Sequence, residues 1–156
     1  MEMERREFMA LLGSVAALMP SQITTAHAMP PGAALIGTWS FVSSVNTRKD
    51  GSVVDRWGPN TSGMLMFDRS GHFSQIITGS PESRMFGPKT FCAFGTYSFD
   101  SVNNTLMTQY NGCSIAKVTG TSLERKVLEL TADQLKYLNP VAAADTIAEV
   151  SWKRLA

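Results

Sequence analysis

Two cysteines and two histidines in 156 residues leave little for a metal to hold. A structural or catalytic zinc needs three or four Cys, His or acidic ligands converging on one point. No such pair stands at ligand spacing here, so no metal is expected. His72 is the sole histidine after position 28; alone beside a turn, it reads as a surface side chain. No G-x-S-x-G stretch occurs, so the many Ser and Asp residues assemble no recognisable nucleophile elbow. No cofactor motif is present, and no cofactor is expected. Fourteen basic residues against thirteen acidic ones give a net charge of +1. That balance, with basic residues scattered, lacks the patch that nucleic acid or an anionic membrane would attract. No apolar run reaches the roughly 20 residues of a membrane-spanning helix, and no long helical period appears.

Residues 1–28 read as a cleaved export signal. Arg5-Arg6 precede the apolar run from Phe8 to Met19, and Ala26-His27-Ala28 fits an A-x-A cleavage site. Arg5 to Met9 resembles the bacterial twin-arginine signal, with Glu4 where Ser or Thr is usual and Ala10 where Lys is common. Glu2, Glu4 and Glu7 cancel the positive charge that general secretion uses, which favours a receptor-read twin-arginine address. The expected product is a periplasmic or secreted domain spanning 35–156, with no stable membrane insertion.

Beyond the signal, short runs rich in β-branched and aromatic residues alternate with turn signals. Strands are predicted at Ile36 to Val45, Val53 to Trp57, Gly63 to Asp68, His72 to Thr78, Thr90 to Phe99, Thr105 to Gly112, Leu123 to Leu130, Gln134 to Leu138 and Thr146 to Leu155. Asp50-Gly51 and Asp68-Arg69-Ser70-Gly71 mark tight turns. The sequence therefore predicts an all-β fold: a single antiparallel up-and-down β-barrel of eight to nine strands. Such a barrel has an interior that side chains just fill, or that holds one small ligand.

Gly37-Thr38-Trp39 near the start and Trp152-Lys153-Arg154 at the end resemble the way lipocalin and fatty-acid-binding-protein chains begin and end. Leu35 to Ser43, Gly63 to Ser74, Phe94 to Phe99, Arg125 and the closing Trp152-Lys153-Arg154 together resemble the bacterial and fungal lipocalin-like domain family. One departure is Pro59-Asn60-Thr61, since the family tends to place Pro after the Asn or Asp of that loop. The resemblance implies a calycin-type barrel, with Arg154 lying over Trp39 where the sheet closes. A cation–π latch of this kind contributes about 0.5–2 kcal/mol. It also implies binding of a small apolar molecule, and no settled activity.

Within that frame, Trp39, Phe41, Met64, Met66, Phe73, Tyr97 and Tyr110 are the candidate ligand-binding residues, as cavity walls. Tyr97 and Tyr110 would orient the ligand through their hydroxyls. Met85-Phe86, on the long loop Gly79 to Lys89, is a candidate lid. Cys92 and Cys113 form a candidate disulfide. A turn centred between Val102 and Asn103 opposes Phe99 to Leu106, Gly95 to Tyr110 and Cys92 to Cys113, within bridging distance. A turn at Asn103-Asn104 shifts the register, separates the pair and leaves two free thiols.

Three functions are compatible with these features. The first is an exported binding protein for a small hydrophobic or amphipathic molecule. The second is a cofactor-free isomerase or cyclase on a lipid-like substrate, which needs an inward Asp or Glu, or His72, as its acid–base agent. The third is a filled barrel acting as a structural or interaction module. The catalytic reading names no catalytic residue, because alternation does not decide which of Asp50, Asp55, Asp68, Asp100, Glu124 and Glu129 faces inward.

Overall fold

The computed structural model describes residues 32–80, 89–142 and 146–155. Nine strands run in sequence: β1 (Gly37–Arg48), β2 (Val53–Val54), β3 (Ser62–Phe67), β4 (His72–Thr78), β5 (Thr90–Asp100), β6 (Thr105–Cys113), β7 (Ser122–Leu130), β8 (Gln134–Ala142) and β9 (Thr146–Arg154). Each strand from β3 to β9 pairs antiparallel with the next, and β3 and β9 both pair with β1. The result is a closed eight-strand up-and-down barrel, with β2 as an appendix on the far end of β1. Closure leaves the barrel strands without free edges. The candidate signal, residues 1–28, and the candidate lid, Met85-Phe86, lie outside the described residues.

The seam is held at one end by the terminal motifs. β1 and β9 pair from Trp39 opposite Arg154 to Arg48 opposite Thr146, interrupted by a bulge between Phe41 and Ser43. The Arg154 guanidinium lies 4.0 Å from the centroid of the Trp39 ring. It donates to the carbonyls of Ile36 at 2.7 Å, Ala34 and Ala132. The Trp39 indole donates to the Leu35 carbonyl at 2.9 Å. The glycine two residues before Trp39 follows from this arrangement. Gly37 sits at φ 135°, and any Cβ there would collide with Nη1 of Arg154.

Leu35, Trp39, Phe67, Phe73, Leu106, Leu135 and Trp152 fill this end solidly. Phe41 meets Trp152 edge-on at 5.4 Å, and Tyr97 meets Phe67 edge-on at 4.7 Å, between centroids.

Three local features depart from the sequence expectations. The second strand is only Val53–Val54 rather than running to Trp57. The Asp55 carboxylate accepts from the backbone N–H of Trp57 and Gly58, at 3.1 and 2.8 Å, and that turn draws the chain off the sheet. The eighth strand continues past Leu138 to Ala142, because Pro140 falls at a bulge against β9, where its missing N–H breaks no ladder bond.

The third departure is a correction to the disulfide. The register of β5 and β6 runs as derived from Phe99 opposite Leu106 to Gly95 opposite Tyr110, and then slips. Asn111 is an extra residue in β6, so Cys113 comes to oppose Ala93 rather than Cys92. Cys113 thus shares the inward face with buried Ala93, and Cys92 falls on the other face. Both thiols are free. Gly95 permits the slip, because a Cβ there would strike the carbonyl of Gln109.

Candidate functional site

The opposite end of the barrel is hollow. A cavity of about 420 Å³ opens between β1, β4, β5, β6, β7, β8 and β9 and the 3₁₀ turn Ala116–Val118. Volumes of roughly 300–1,000 Å³ are usual for small-molecule sites. The apolar wall comes from Trp57, Ile77, Phe91, Val118, Leu123 and Val150. Ser44, Asn46, Gln75, Tyr110, Arg125, Tyr137 and Asn139 supply polar groups. The stems of the loop containing the candidate lid leave the barrel at this same end, where Gly79 N–H donates to the Lys89 carbonyl at 2.7 Å.

Strand alternation decides which sequence candidates reach the cavity. Of the seven, Tyr110 alone is among the residues lining it. Trp39 and Phe73 are buried in the solid end, and Phe41 packs against Trp152 beside them. Tyr97 packs on Phe67, and its hydroxyl donates to the Asp68 carbonyl at 2.8 Å, so it is tied to the closed end. Burial pushes the Tyr97 phenol above its ordinary pKa.

Met64 and Met66 face outward, each 41% exposed, because Leu65 and Phe67 between and beside them hold the inward positions of β3. Met64 opposes Ile76, and Met66 opposes Ser74, whose other neighbour is Phe94; Met64, Met66, Ile76 and Phe94 are the exposed apolar side chains of this outer face. His72 is exposed at the closed end, with Nδ1 2.8 Å from Ser70 Oγ.

Arg125 organises the cavity's polar side. Its residue exposure is only 3%. Nη1 donates to Thr108 Oγ1 at 2.6 Å, and Nη2 donates to the Tyr110 hydroxyl. The guanidinium carbon lies 5.2 Å from the Tyr137 ring centroid and 5.9 Å from that of Tyr110. Nε is buried and has no hydrogen-bond partner. The Lys136–Glu149 ion pair lies elsewhere, and no described carboxylate pairs with Arg125.

Burying an ion costs several kcal/mol even after the protein relaxes. Aromatic faces return about 2 kcal/mol, and the two bonds to neutral hydroxyls add about 1.5–3 kcal/mol each. These contacts make the buried guanidinium tolerable but leave its charge uncompensated.

Tyr137 is fully buried, and its hydroxyl accepts from the Trp152 indole at 3.1 Å. Burial raises its pKa, against a smaller opposing pull from Arg125, so the phenol keeps its proton at ordinary pH. Arg56, half-buried near the mouth with its guanidinium 5.7 Å from the Trp57 ring centroid, is lowered by burial. Lys117 completes the cationic lining.

No Asp, Glu or His occurs among the described residues that line the cavity. Nor do the described residues include any group of three His, Cys, Asp or Glu able to hold a metal ion. No helix among them is long and apolar enough to cross a membrane.

Arg125, Tyr137, Asn46, Gln75 and Asn139 are site residues that the strand-by-strand reading did not select. For Arg125 the signal was present. Glu124 and Lys126 set the solvent-facing parity of β7 while Leu123 and Val127 set the inward one, and Arg125 falls on the inward parity.

No model of a known protein family matches the chain, and no curated protein matches it in sequence. Among solved structures, the chain is similar to a de novo designed fluorescence-activating β-barrel. There the identity is 14% over 81% of this chain and 100% of that one, with a TM-score of 0.46. It is also similar to bovine odorant-binding protein in complex with a selenium-containing odorant, at 17% identity over 83% of this chain and 75% of that one, with a TM-score of 0.46. At scores below 0.5, neither neighbour adds to what the strand pairings already establish.

Proposed function

We propose that this chain is an exported, lipocalin-like barrel that binds a small amphipathic molecule in the cavity opposite its closed end. The observation that carries the reading is the cavity of about 420 Å³, apolar on one side and lined by converging polar groups on the other. Apolar burial supplies affinity at about 25 cal/mol per Å², and the polar side fixes orientation. The hollow interior speaks against a filled barrel displaying only its outer surface. The catalytic reading needs a carboxylate or His72 in reach of the substrate, and no described wall residue supplies either. Export is supported by the pattern of residues 1–28, Arg5-Arg6 and the A-x-A site in particular.

The test is a titration of the domain with N-phenyl-1-naphthylamine, an uncharged fluorophore that brightens in apolar sites. Emission is expected to saturate at one probe per chain with a Kd of about 1–10 μM, equivalent to roughly 7–8 kcal/mol. An emission curve that stays flat to the probe's solubility limit overturns the reading.

A further inference from the structure

We infer that the outer face of β3, β4 and β5 is where a second copy of this chain docks, as a weak two-fold dimer in which the cavity takes no part. The first ground is where charge is missing. Charged residues are 17% of the chain, against about 25% in an ordinary globular domain. The deficit is concentrated on one side of the barrel. Glu124, Lys126, Lys136, Glu149 and Lys153 stand at outward positions of β7, β8 and β9. The outward positions of β3, β4 and β6, and of β5 as far as Ser98, hold no Asp, Glu, Lys or Arg, and His72 stands at their margin.

On that uncharged side four large apolar side chains are open to solvent: Met64 and Met66 at 41%, Ile76 at 47% and Phe94 at 59% exposure. They surround Ser74, the half-buried centre of the face. Met66 and Phe94 oppose Ser74 on β3 and β5, and Ile76 lies two residues along β4 with Met64 opposite it. Methionine and aromatic side chains without charge are what the buried centre of a protein interface is enriched in. Phe94 is also pinned, because its ring lies so close over Gly112 on β6 that a Cβ there would strike it. A ring already held in place loses little freedom on docking.

The second ground is self-complementarity, and it selects the occupant. A two-fold contact lays a surface against itself. A charged face then meets like with like near the axis, whereas this face has no charge to repel. Its polar members include Ser74, Thr78, Thr96 and Ser98. A hydroxyl both donates and accepts, so each can pair with its own copy. An axis near Ser74 sets hydroxyl against hydroxyl inside a ring of apolar side chains. Lipid tails would offer that hydroxyl no partner. The chain's net charge of +1 adds little repulsion between copies at a distance.

Curvature sets the strength. The barrel is closed and therefore convex, so two copies touch over about three strands, a footprint of roughly 15 by 20 Å. An interface of that size belongs to the small, reversible class, under about 1,200 Å² in total. The expected dimer dissociates at about 10–100 μM rather than being permanent.

The experiment is sedimentation velocity of the purified protein over a concentration series that brackets this range. Wild type is expected to pass from monomer to dimer across it. Ser74→Glu and Ser74→Lys each bring like charges together at the axis, and each is expected to weaken association at least ten-fold. Mixed in equal amounts, the two variants are expected to associate again, since a carboxylate then meets an ammonium. Leu128→Lys, on the charged side of the barrel, is expected to change nothing. All three variants are expected to take up N-phenyl-1-naphthylamine as wild type does, so failure of the dimer leaves the binding-barrel reading standing.

A wild-type protein that stays monomeric throughout overturns the proposal. So does a dimer that both Ser74 variants keep, or that Leu128→Lys breaks, and so does a mixture of the two Ser74 variants that stays monomeric. Should the Ser74 variants not fold, as judged by circular dichroism, Phe94→Ser decides, and an undiminished dimer then removes this face. Monomeric wild type that floats with phosphatidylethanolamine–phosphatidylglycerol vesicles, when Phe94→Ser does not, gives the face to a lipid surface instead.

Discussion

Two arginines carry much of this molecule, and they do opposite work. Arg154 spends its donors on three backbone carbonyls and its face on Trp39, so its role is complete within the chain. Replacing it with methionine keeps the stem and strips the bonds. Arg154→Met is expected to destabilise the fold by about 2–4 kcal/mol, read as a lower midpoint in urea denaturation with the slope unchanged. Arg125 is the converse, a buried cation whose bonds stop at neutral hydroxyls. Its inward position was legible from the parity of Leu123 and Val127 against Glu124 and Lys126. Its lack of a partner was not legible, because Thr108, Tyr110 and Tyr137 reach it across β6 and β8 only once the register is fixed. Tyr110 was accessible to sequence reasoning because the hairpin register could be counted back from the Asp100–Thr105 turn.

Elements differ in how plainly their sequence announces them. β4 and β7 alternate cleanly, whereas β3 is apolar on both faces, so Met64 and Met66 could not be told from Leu65 and Phe67 until β4 supplied the pairing. Bulges escape pattern reading altogether: one extra residue, Asn111, carries Cys113 away from Cys92. Turns were the most legible parts, because their side-chain chemistry is local.

The turn between β3 and β4 shows this. Asp68 accepts from the backbone of Ser70 and His72 and from the Ser70 hydroxyl, and these bonds hold its carboxyl below the usual range. A carboxyl with a folded pKa below its unfolded one, about 3.9, stabilises the fold above the unfolded value. The contribution is lost as pH falls through the folded value. Asp68→Asn is therefore expected to lower stability at pH 7, with the gap to wild type closing as pH falls through the folded value. Urea midpoints of both proteins across that range measure it, and a gap that persists in acid would contradict the assignment.

At the scale of the whole molecule, one end of the barrel is sealed and the other is open, and function is read from that asymmetry. Aromatic rings and the Arg154–Trp39 contact occupy the sealed end. The open end replaces large apolar side chains with Ser44, Asn46, Gln75 and Asn139, and that exchange makes room for about 420 Å³. The terminal motifs made the closed sheet legible, since a glycine, two tryptophans and an arginine are scarce enough to stand out. Whether the interior was hollow was not legible, because it depends on which polar residues turn inward along five strands at once. The central claim is that this hollow end holds a molecule, and native mass spectrometry of protein gently isolated from its producing cells addresses it most directly. The account predicts one non-covalent adduct per chain, released on denaturation; a bare chain mass, from protein that also fails to take up N-phenyl-1-naphthylamine, would contradict it.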